Sequence, residues 1–273
     1  MFVSPMLLHK IEKPFNGENY IAELKLDGIR AIFSTMGEKS KLYTRHKNDI
    51  SARFGELLSY PLPAGTILDG ELVVTDEAGK PDFESCMQRF FRSKGQITYC
   101  VFDILYYKGK DVTSLPLEQR KLLLFDVLPD DSPLIAKVKS LSGLNSEQLF
   151  SLCCSQSLEG IFLKRKDSAY MVGQRSKNWL KVINYSFEDV LITGYRKSKF
   201  GWILNFDTGL PAGTLEFAPS HARQKVYSMA HNSKYEEYGD FVRFPADPIK
   251  AKVKFRNYTK AGLLRTPSFE EFL

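Results

Sequence analysis

Apolar positions along this chain follow two rhythms, and their succession outlines the elements before any chemistry is considered. Short alternating or continuous apolar runs bounded by Gly, Pro, Asn or Asp carry the strand signature. They fall at residues 20–24, 31–33, 41–44, 68–74, 97–107, 134–141 and 159–164. Three stretches show helical spacing instead. In residues 83–94, Phe83, Met87, Phe90 and Phe91 cover one face, read as core packing. Residues 117–128 follow the start signal Ser114-Leu115-Pro116, and a third helix runs through Cys154, with Asn145 and Gln148 reading as a capping box.

After Ile183 the texture changes to short strand-like runs at residues 190–195, 202–206, 213–217, 241–244 and 249–258, with a helix over 220–230. So many short strands with one helix suggest a small barrel of the OB type, and Asn184-Tyr185-Ser186-Phe187 reads as a hinge. The expected class is α+β. A domain of mainly antiparallel sheets with flanking helices spans residues 1–183, and an OB-fold β-barrel spans residues 184–273. A length of 273 residues suits one large and one small domain.

Composition adds three points. Hydrophobic content of 43% and charged content of 26% are those of a soluble globular protein able to bury a core. A balance of 38 Lys+Arg against 32 Asp+Glu, net +6, suits a polyanionic partner such as nucleic acid. Cys86, Cys100, Cys153 and Cys154 form no CxxC pair, which argues against zinc knuckles and disulfides and for reduced thiols in an intracellular protein. Pro5, His9 and Lys10 interrupt the apolar start at Met6-Leu7-Leu8, so no signal peptide, no membrane span and a cytoplasmic location are expected.

The candidate chemistry centres on Glu23-Leu24-Lys25-Leu26-Asp27-Gly28-Ile29-Arg30, which reads KxDGxR. Lys25 ends a strand just before a tight turn at Asp27-Gly28, so it projects from a rigid platform, the place for a nucleophile. A lysine with its usual pKa of about 10.4 is almost wholly protonated at neutral pH. Partial burial and a neighbouring cation free the amine, and Arg30 is expected to be that cation. A short pattern of this kind arises by chance, and further runs change the odds: Leu68-Asp69-Gly70-Glu71-Leu72, Tyr99-Cys100-Val101-Phe102-Asp103, Glu159-Gly160-Ile161-Phe162-Leu163-Lys164 and Arg175-Ser176-Lys177-Asn178-Trp179-Leu180-Lys181. In the third, strand alternation sets Phe162 and Lys164 opposite Ile161 and Leu163. Lys164 is therefore expected to point into a pocket, and a turn must re-aim Glu159.

In this order and spacing the five runs resemble motifs I, III, IIIa, IV and V of the covalent nucleotidyltransferases, which comprise ATP-dependent DNA ligases, RNA ligases and mRNA-capping guanylyltransferases. The resemblance covers the whole chain. The RSxNWLK string at 175–181, the opening Pro5-Met6-Leu7-Leu8 and the closing Leu263-Leu264-Arg265-Thr266-Pro267-Ser268-Phe269 resemble DNA ligases in particular. The resemblance implies that residues 1–183 form a nucleotidyltransferase (adenylation) domain using ATP with Mg²⁺ or Mn²⁺. Lys25 would take AMP from ATP, pass it to the 5′-phosphate of a DNA nick and let the 3′-hydroxyl displace it.

It implies catalytic roles for Lys25, Asp27, Lys164 and Lys181. Glu23 (adenine amino group), Arg30, Arg45, Glu71, Phe102 (purine stacking) and Arg175 would bind nucleotide, and Glu71 with Glu159 would hold metal. DNA contacts would come from Arg45, Lys177, Arg265 and the period-two set Lys250, Lys252, Lys254 and Arg256, which share one strand face.

Two departures matter. The family commonly has Lys-x-Lys where this chain has Lys181-Val182-Ile183, so Lys177 or another cation is expected to compensate, or phosphate affinity to be lower; and the sequence reaches Leu273 without the basic motif VI, so its role is expected to pass to Arg265 or another barrel residue. The expected state is a monomer on nicked duplex DNA, with the barrel closing for adenylation and re-orienting to clamp the duplex. No separate DNA-binding domain is expected ahead of residue 1, so gripping DNA is expected to use little surface or a repair or replication partner. The alternatives are an RNA ligase or capping guanylyltransferase, and a non-catalytic OB-containing nucleic-acid binder. The retained Lys25, Glu71 and Glu159 argue against the last.

Overall fold

Two β-sheets facing one another carry the first part of the chain, and their strands are drawn from distant stretches. The computed structural model describes residues 1–92, 95–231, 234–244 and 246–273. It divides into two units, residues 1–184 and 185–273. In the first unit the elements in chain order are β1 (Leu7–Lys10), β2 (Tyr20–Leu24), β3 (Ile29–Ser34), β4 (Lys41–Thr44), α1 (Gly55–Leu58), β5 (Ile67–Val73), α2 (Phe83–Arg92), β6 (Thr98–Tyr107), β7 (Lys110–Asp111), α3 (Leu117–Val127), β8 (Ile135–Lys137), β9 (Leu141–Ser142), α4 (Ser146–Ser155), β10 (Gly160–Arg165) and β11 (Arg175–Ile183).

One sheet runs β1-β11-β10-β2-β9 and the other runs β4-β3-β5-β6-β7, with β8 beside β6. Pairing is antiparallel apart from β1 with β11 and β6 with β8. Each sheet buries one face under helices. Phe33, Leu68, Leu72, Tyr99 and Val101 pack with Cys86 of α2 and Leu124 and Val127 of α3, while Ala22, Ile161, Leu163 and Val182 pack with Leu149 and Cys153 of α4. The opposing faces meet through Ile32, Ile67, Phe102, Tyr170 and Trp179. Removing these side chains from water supplies the main driving force for the layering.

The second unit comprises β12 (Ser186–Arg196), β13 (Trp202–Asn205), β14 (Pro211–Leu215), α5 (Ser220–His231), β15 (Glu236–Tyr238), β16 (Phe241–Arg243), β17 (Ile249–Phe255) and β18 (Ser268–Phe272). Strand β12 is long enough to pair with both β16 and β17 on top of β13. The path β14-β13-β12-β17-β18 returns on itself, because Phe217 just past β14 bridges Ser268 at the start of β18. The result is a curled, OB-like sheet around Trp202, Leu204, Val226, Val253 and Phe255.

Strands β2 and β4 occupy the spans that alternation marked, and two expectations need correction. The single strand at 134–141 is two short ones, because β8 pairs with β6 in one sheet and β9 pairs with β2 in the other; the chain crosses the gap between sheets there. The Asn145–Gln148 capping box does not form: Asn145 makes no side-chain cap, and the Ser142 hydroxyl instead accepts from the Leu144 amide. The helix expected over 83–94 is present over Phe83–Arg92, and positions 93 and 94 lie outside the described residues. Strands β15 and β18 had no sequence counterpart. Their side chains are mostly exposed or half-buried, which leaves little apolar signal to read.

Gly160 opens β10 at φ +147°, and an added Cβ would lie 2.1 Å from the Val182 carbonyl oxygen. Gly160→Ala is expected to destabilise the protein by roughly 2–4 kcal/mol through backbone strain and displacement of β11. A urea melt superimposable on wild type would contradict that reading.

Candidate active site

Strand register decides which side chains share the gap between the sheets. Glu23 pairs with Phe162, Phe162 with Lys181, and Lys164 with Trp179. Since directly opposed residues lie on one face, Glu23, Phe162, Lys164, Trp179 and Lys181 all face the second sheet. On that sheet Arg30 is opposite Glu71 and Ile32 is opposite Asp69. A register shift between β5 and β6 beside Asp69 and Gly70 brings in Phe102. Where the sheets part they leave a narrow slot lined by Glu23, Leu26, Glu71, Phe102, Val138 and Phe162.

Lys25 stands at the rim of this slot. Its backbone amide donates to the Gly160 carbonyl at 2.9 Å, continuing the β2–β10 pairing. Its Nζ donates to Glu159 Oε2 at 2.6 Å, and the two side chains are 17% and 4% exposed. The turn before β10 has therefore re-aimed Glu159 towards the lysine. Nζ also lies 5.6 Å from the Phe162 ring centroid. The turn after Lys25 presses against β5 so closely that a Cβ on Gly28 would lie 2.2 Å from the Leu72 carbonyl oxygen, which is why glycine follows Asp27. Asp27 itself is half-buried in that turn.

Arg30, expected as the cation beside Lys25, has other partners. Its guanidinium is committed to both oxygens of Asp69, at 3.0 and 2.6 Å, and to the Met6 carbonyl at 2.8 Å. Tyr170 also donates its hydroxyl to Asp69 at 2.6 Å. This bidentate pair holds the arginine charged and ties the N-terminal segment to the sheet.

The carboxylates fall into two states. Burial pushes Glu71 up to about 8, reinforced by Glu159 and Asp69 and opposed by Lys25 and Arg30. Glu23 is fully buried, which alone would raise it, yet Lys121 and Lys164 hold it down to about 2. Oε2 of Glu23 accepts from Lys164 at 2.6 Å, and Oε1 accepts from Lys121 and from the Ser140 hydroxyl at 2.7 Å. Lys164 is 1% exposed, with Nζ 4.3 Å from the Phe102 centroid and 4.2 Å from that of Trp179. Burial lowers its pKa, Glu23 supports it, and Lys121 lowers it further.

Three contributors escaped the sequence reading. Lys121 and Ser140 bind Glu23, and Phe162 forms a wall of the slot. Lys121 arrives because its neighbour Arg120, fully buried, grips both oxygens of Asp103 at 2.8 Å and clamps α3 to β6. The adjacent Arg120-Lys121 pair, just ahead of the apolar run Leu122-Leu123-Leu124-Phe125, was the available signal.

Glu71 and Glu159 are the side chains that could hold a metal ion. Among the described residues no cluster of three or more His, Cys, Asp or Glu forms a protein cage. Two carboxylates fit Mg²⁺, which keeps waters and substrate phosphates in its shell. The neighbouring Glu159 and Asp69, which add to the effect of burial on Glu71, also favour a cation there.

The remaining candidates are scattered. Lys181 is half-buried opposite Phe162, whereas Arg175 and Lys177 are exposed further back along β11. Lys177 sits six residues from Ile183, roughly 20 Å of extended strand, so it does not replace the second lysine; Ile183 itself is buried opposite Gly160. Arg175 donates to the Leu8 carbonyl. Arg45 is exposed just past β4, 3.4 Å from the His46 ring. In the second unit, Lys250, Lys252 and Lys254 do share the outer face of β17, followed by Arg256, but Lys252 and Lys254 pair with Glu271 and Glu270 of β18. Arg265 lies 3.4 Å from Asn257 Oδ1.

Comparison with known proteins gives a consistent result. Residues 4–182 match the family model described as ATP dependent DNA ligase domain. The SPbeta prophage-derived DNA ligase-like protein LigB of Bacillus subtilis is 46% identical over 275 residues, covering 100% of this chain and 99% of the relative. The multifunctional non-homologous end joining protein LigD of Pseudomonas aeruginosa is 33% identical over 204 residues; the match covers 72% of this chain but 24% of LigD, so the chain spans about a quarter of that relative. Two solved structures share the fold. A Lig E DNA ligase has a TM-score of 0.69 at 20% identity, with 97% of this chain and 98% of that one covered. A mycobacterial DNA ligase D complexed with ATP and MES has a TM-score of 0.60 at 23% identity, with 99% and 95% covered.

The raised Glu71 sets a pH dependence of stability. Between its ordinary value of 4.5 and about 8 the folded state holds a proton that the unfolded state has released, so the group's contribution falls as pH rises through that window. Glu71→Gln is expected to flatten the decline of melting temperature between pH 5 and 8. Parallel wild-type and mutant profiles would contradict the assignment.

Proposed function

The chain belongs to the ATP-dependent DNA ligase family, and from that membership we propose that Lys25 carries the adenylyl group with which it seals breaks in DNA. The observation that carries this reading is the Lys25 amine held at 2.6 Å from Glu159 at the rim of the slot. In the first step Nζ attacks the α-phosphorus of ATP, a P–N bond forms and pyrophosphate leaves. Glu159 orients the amine and is the acceptor nearest the proton it must lose. An oxygen of the DNA 5′-phosphate then takes the AMP from Lys25, and the 3′-hydroxyl attacks that phosphorus, releasing AMP and closing the phosphodiester.

Phe102 and Phe162 offer aromatic faces to the base, and Glu23 accepts from the adenine amino group. Each transfer concentrates negative charge on phosphorus, which Lys181 is placed to offset and to which Arg45 and Arg175 add from the periphery. Lys164 acts from behind Phe102 as the partner of Glu23. Asp27 serves at the nick. A magnesium ion, held by Glu71 and Glu159, would supply further charge for the phosphates.

The outer face of β17, with Lys250, Lys252, Lys254 and Arg256, and the nearby Arg265 contact the DNA backbone non-specifically. The substrate is nicked duplex DNA and the protein acts as a monomer. The name of the LigD relative points to end joining and repair as the setting, with partner proteins of that kind. No helix among the described residues is long and apolar enough to cross a membrane.

A nick-sealing assay with ATP and magnesium tests the proposal. Lys25→Ala should lose at least about 10³-fold in rate, and Glu159→Gln roughly 10²-fold. Sealing by Lys25→Ala at the wild-type rate would exclude the mechanism, and use of GTP in preference to ATP would move the chain towards guanylyl transfer.

A further inference from the structure

Glu23 is bound from three elements at once. Lys164 of β10 takes Oε2, while Lys121 of α3 and Ser140, in the crossing between β8 and β9, take Oε1. Lys164 also contacts two aromatic rings and is 1% exposed, so it is packed into the core behind Phe102. Lys121 differs. It is 13% exposed and lines a second cavity of about 540 Å³ on the far side of the 138–141 crossing, so it reaches Glu23 from outside the slot. A second cation on one buried carboxylate exceeds what charge balance needs, since Lys164 already pairs with Glu23. The surplus points to a role in setting the state of Glu23.

We propose that Lys121 is a positioning residue that keeps Glu23 an acceptor-only carboxylate of fixed orientation at the base end of the slot, and thereby sets preference for ATP over GTP. This rests on the reading of Glu23 as the contact to the base. An ionised carboxylate only accepts hydrogen bonds, whereas a protonated one also donates. Adenine presents an amino donor at the edge where guanine presents a carbonyl acceptor, so a fixed carboxylate favours the first and repels the second. Without Lys121 the same burial that already works against the charge of Glu23 favours a protonated or rotated carboxyl, which can donate to guanine. A site that relies on an unpaired polar group to reject the wrong partner discriminates strongly.

The test measures enzyme–nucleotide adduct formation with labelled ATP and GTP for wild type, Lys121→Met, Lys121→Arg and Ser140→Ala, with a thermal melt for each. Lys121→Met is expected to raise KM for ATP about 10-fold or more with a smaller change in kcat, and to cut the ATP:GTP ratio of kcat/KM at least about 10-fold. Lys121→Arg should restore the ratio. Ser140→Ala, which removes the other tie to Oε1, should shift it in the same direction by less, and keeps the test available if Lys121→Met fails to fold. A folded Lys121→Met with wild-type KM and ratio would overturn the inference, as would a loss confined to kcat or a ratio unmoved in both Lys121→Met and Ser140→Ala. Absence of any adduct in wild type would instead sink the ligase reading.

Discussion

Everything in the cleft depends on the antiparallel pairing of β2 with β10, two short strands well over a hundred residues apart in sequence. With Leu24 opposite Ile161 and Glu23 opposite Phe162, the pairing buries Ala22, Ile161 and Leu163 on one side and gathers Glu23, Phe162 and Lys164 on the other. A slip of one residue would reverse both sets, exposing the apolar side chains and burying the charges without partners, so the register is strongly specified. The same ladder continues into the Lys25 amide bond to Gly160, which is what brings the lysine to Glu159.

Around that frame the charges are matched one by one. Arg30 is matched to Asp69, Arg120 to Asp103 and Lys25 to Glu159, while Glu23 takes two lysines and burial raises the pKa of Glu71. Burying ions in this way costs desolvation energy that pairing returns only when geometry is good, so such pairs fix arrangement more than they add stability. Arg30–Asp69 and Arg120–Asp103 act on scaffold: one holds the N-terminal segment, the other holds α3. Lys25–Glu159 and the Glu23 cluster act on the site.

Local signals were legible in the sequence and partnerships were not. Alternation located β2 and β4, period-two cations located the outer face of β17, and the run from Glu159 to Lys164 marked β10 along with the need for a turn to re-aim its first residue. The claim of Asp69 on Arg30 was invisible, because a bidentate pair across β3 and β5 needs the strand register, which spacing alone does not give. Lys121 was not singled out, because nothing in the helical period shows that α3 packs beside Glu23. Residues 134–141 looked like one strand because apolar periodicity cannot distinguish one sheet from two. Ile183, noted as a missing lysine, is instead a buried strand end.

The central claim is that the Lys25 amine becomes covalently bonded to AMP. Incubating the protein with ATP and magnesium, digesting it and mapping peptides by mass spectrometry tests it directly. The account predicts a single adenylyl group on the peptide containing Lys25, localised to that side chain, and its loss when nicked DNA is added. Unmodified Lys25 under these conditions, or AMP found on a different residue, would contradict it.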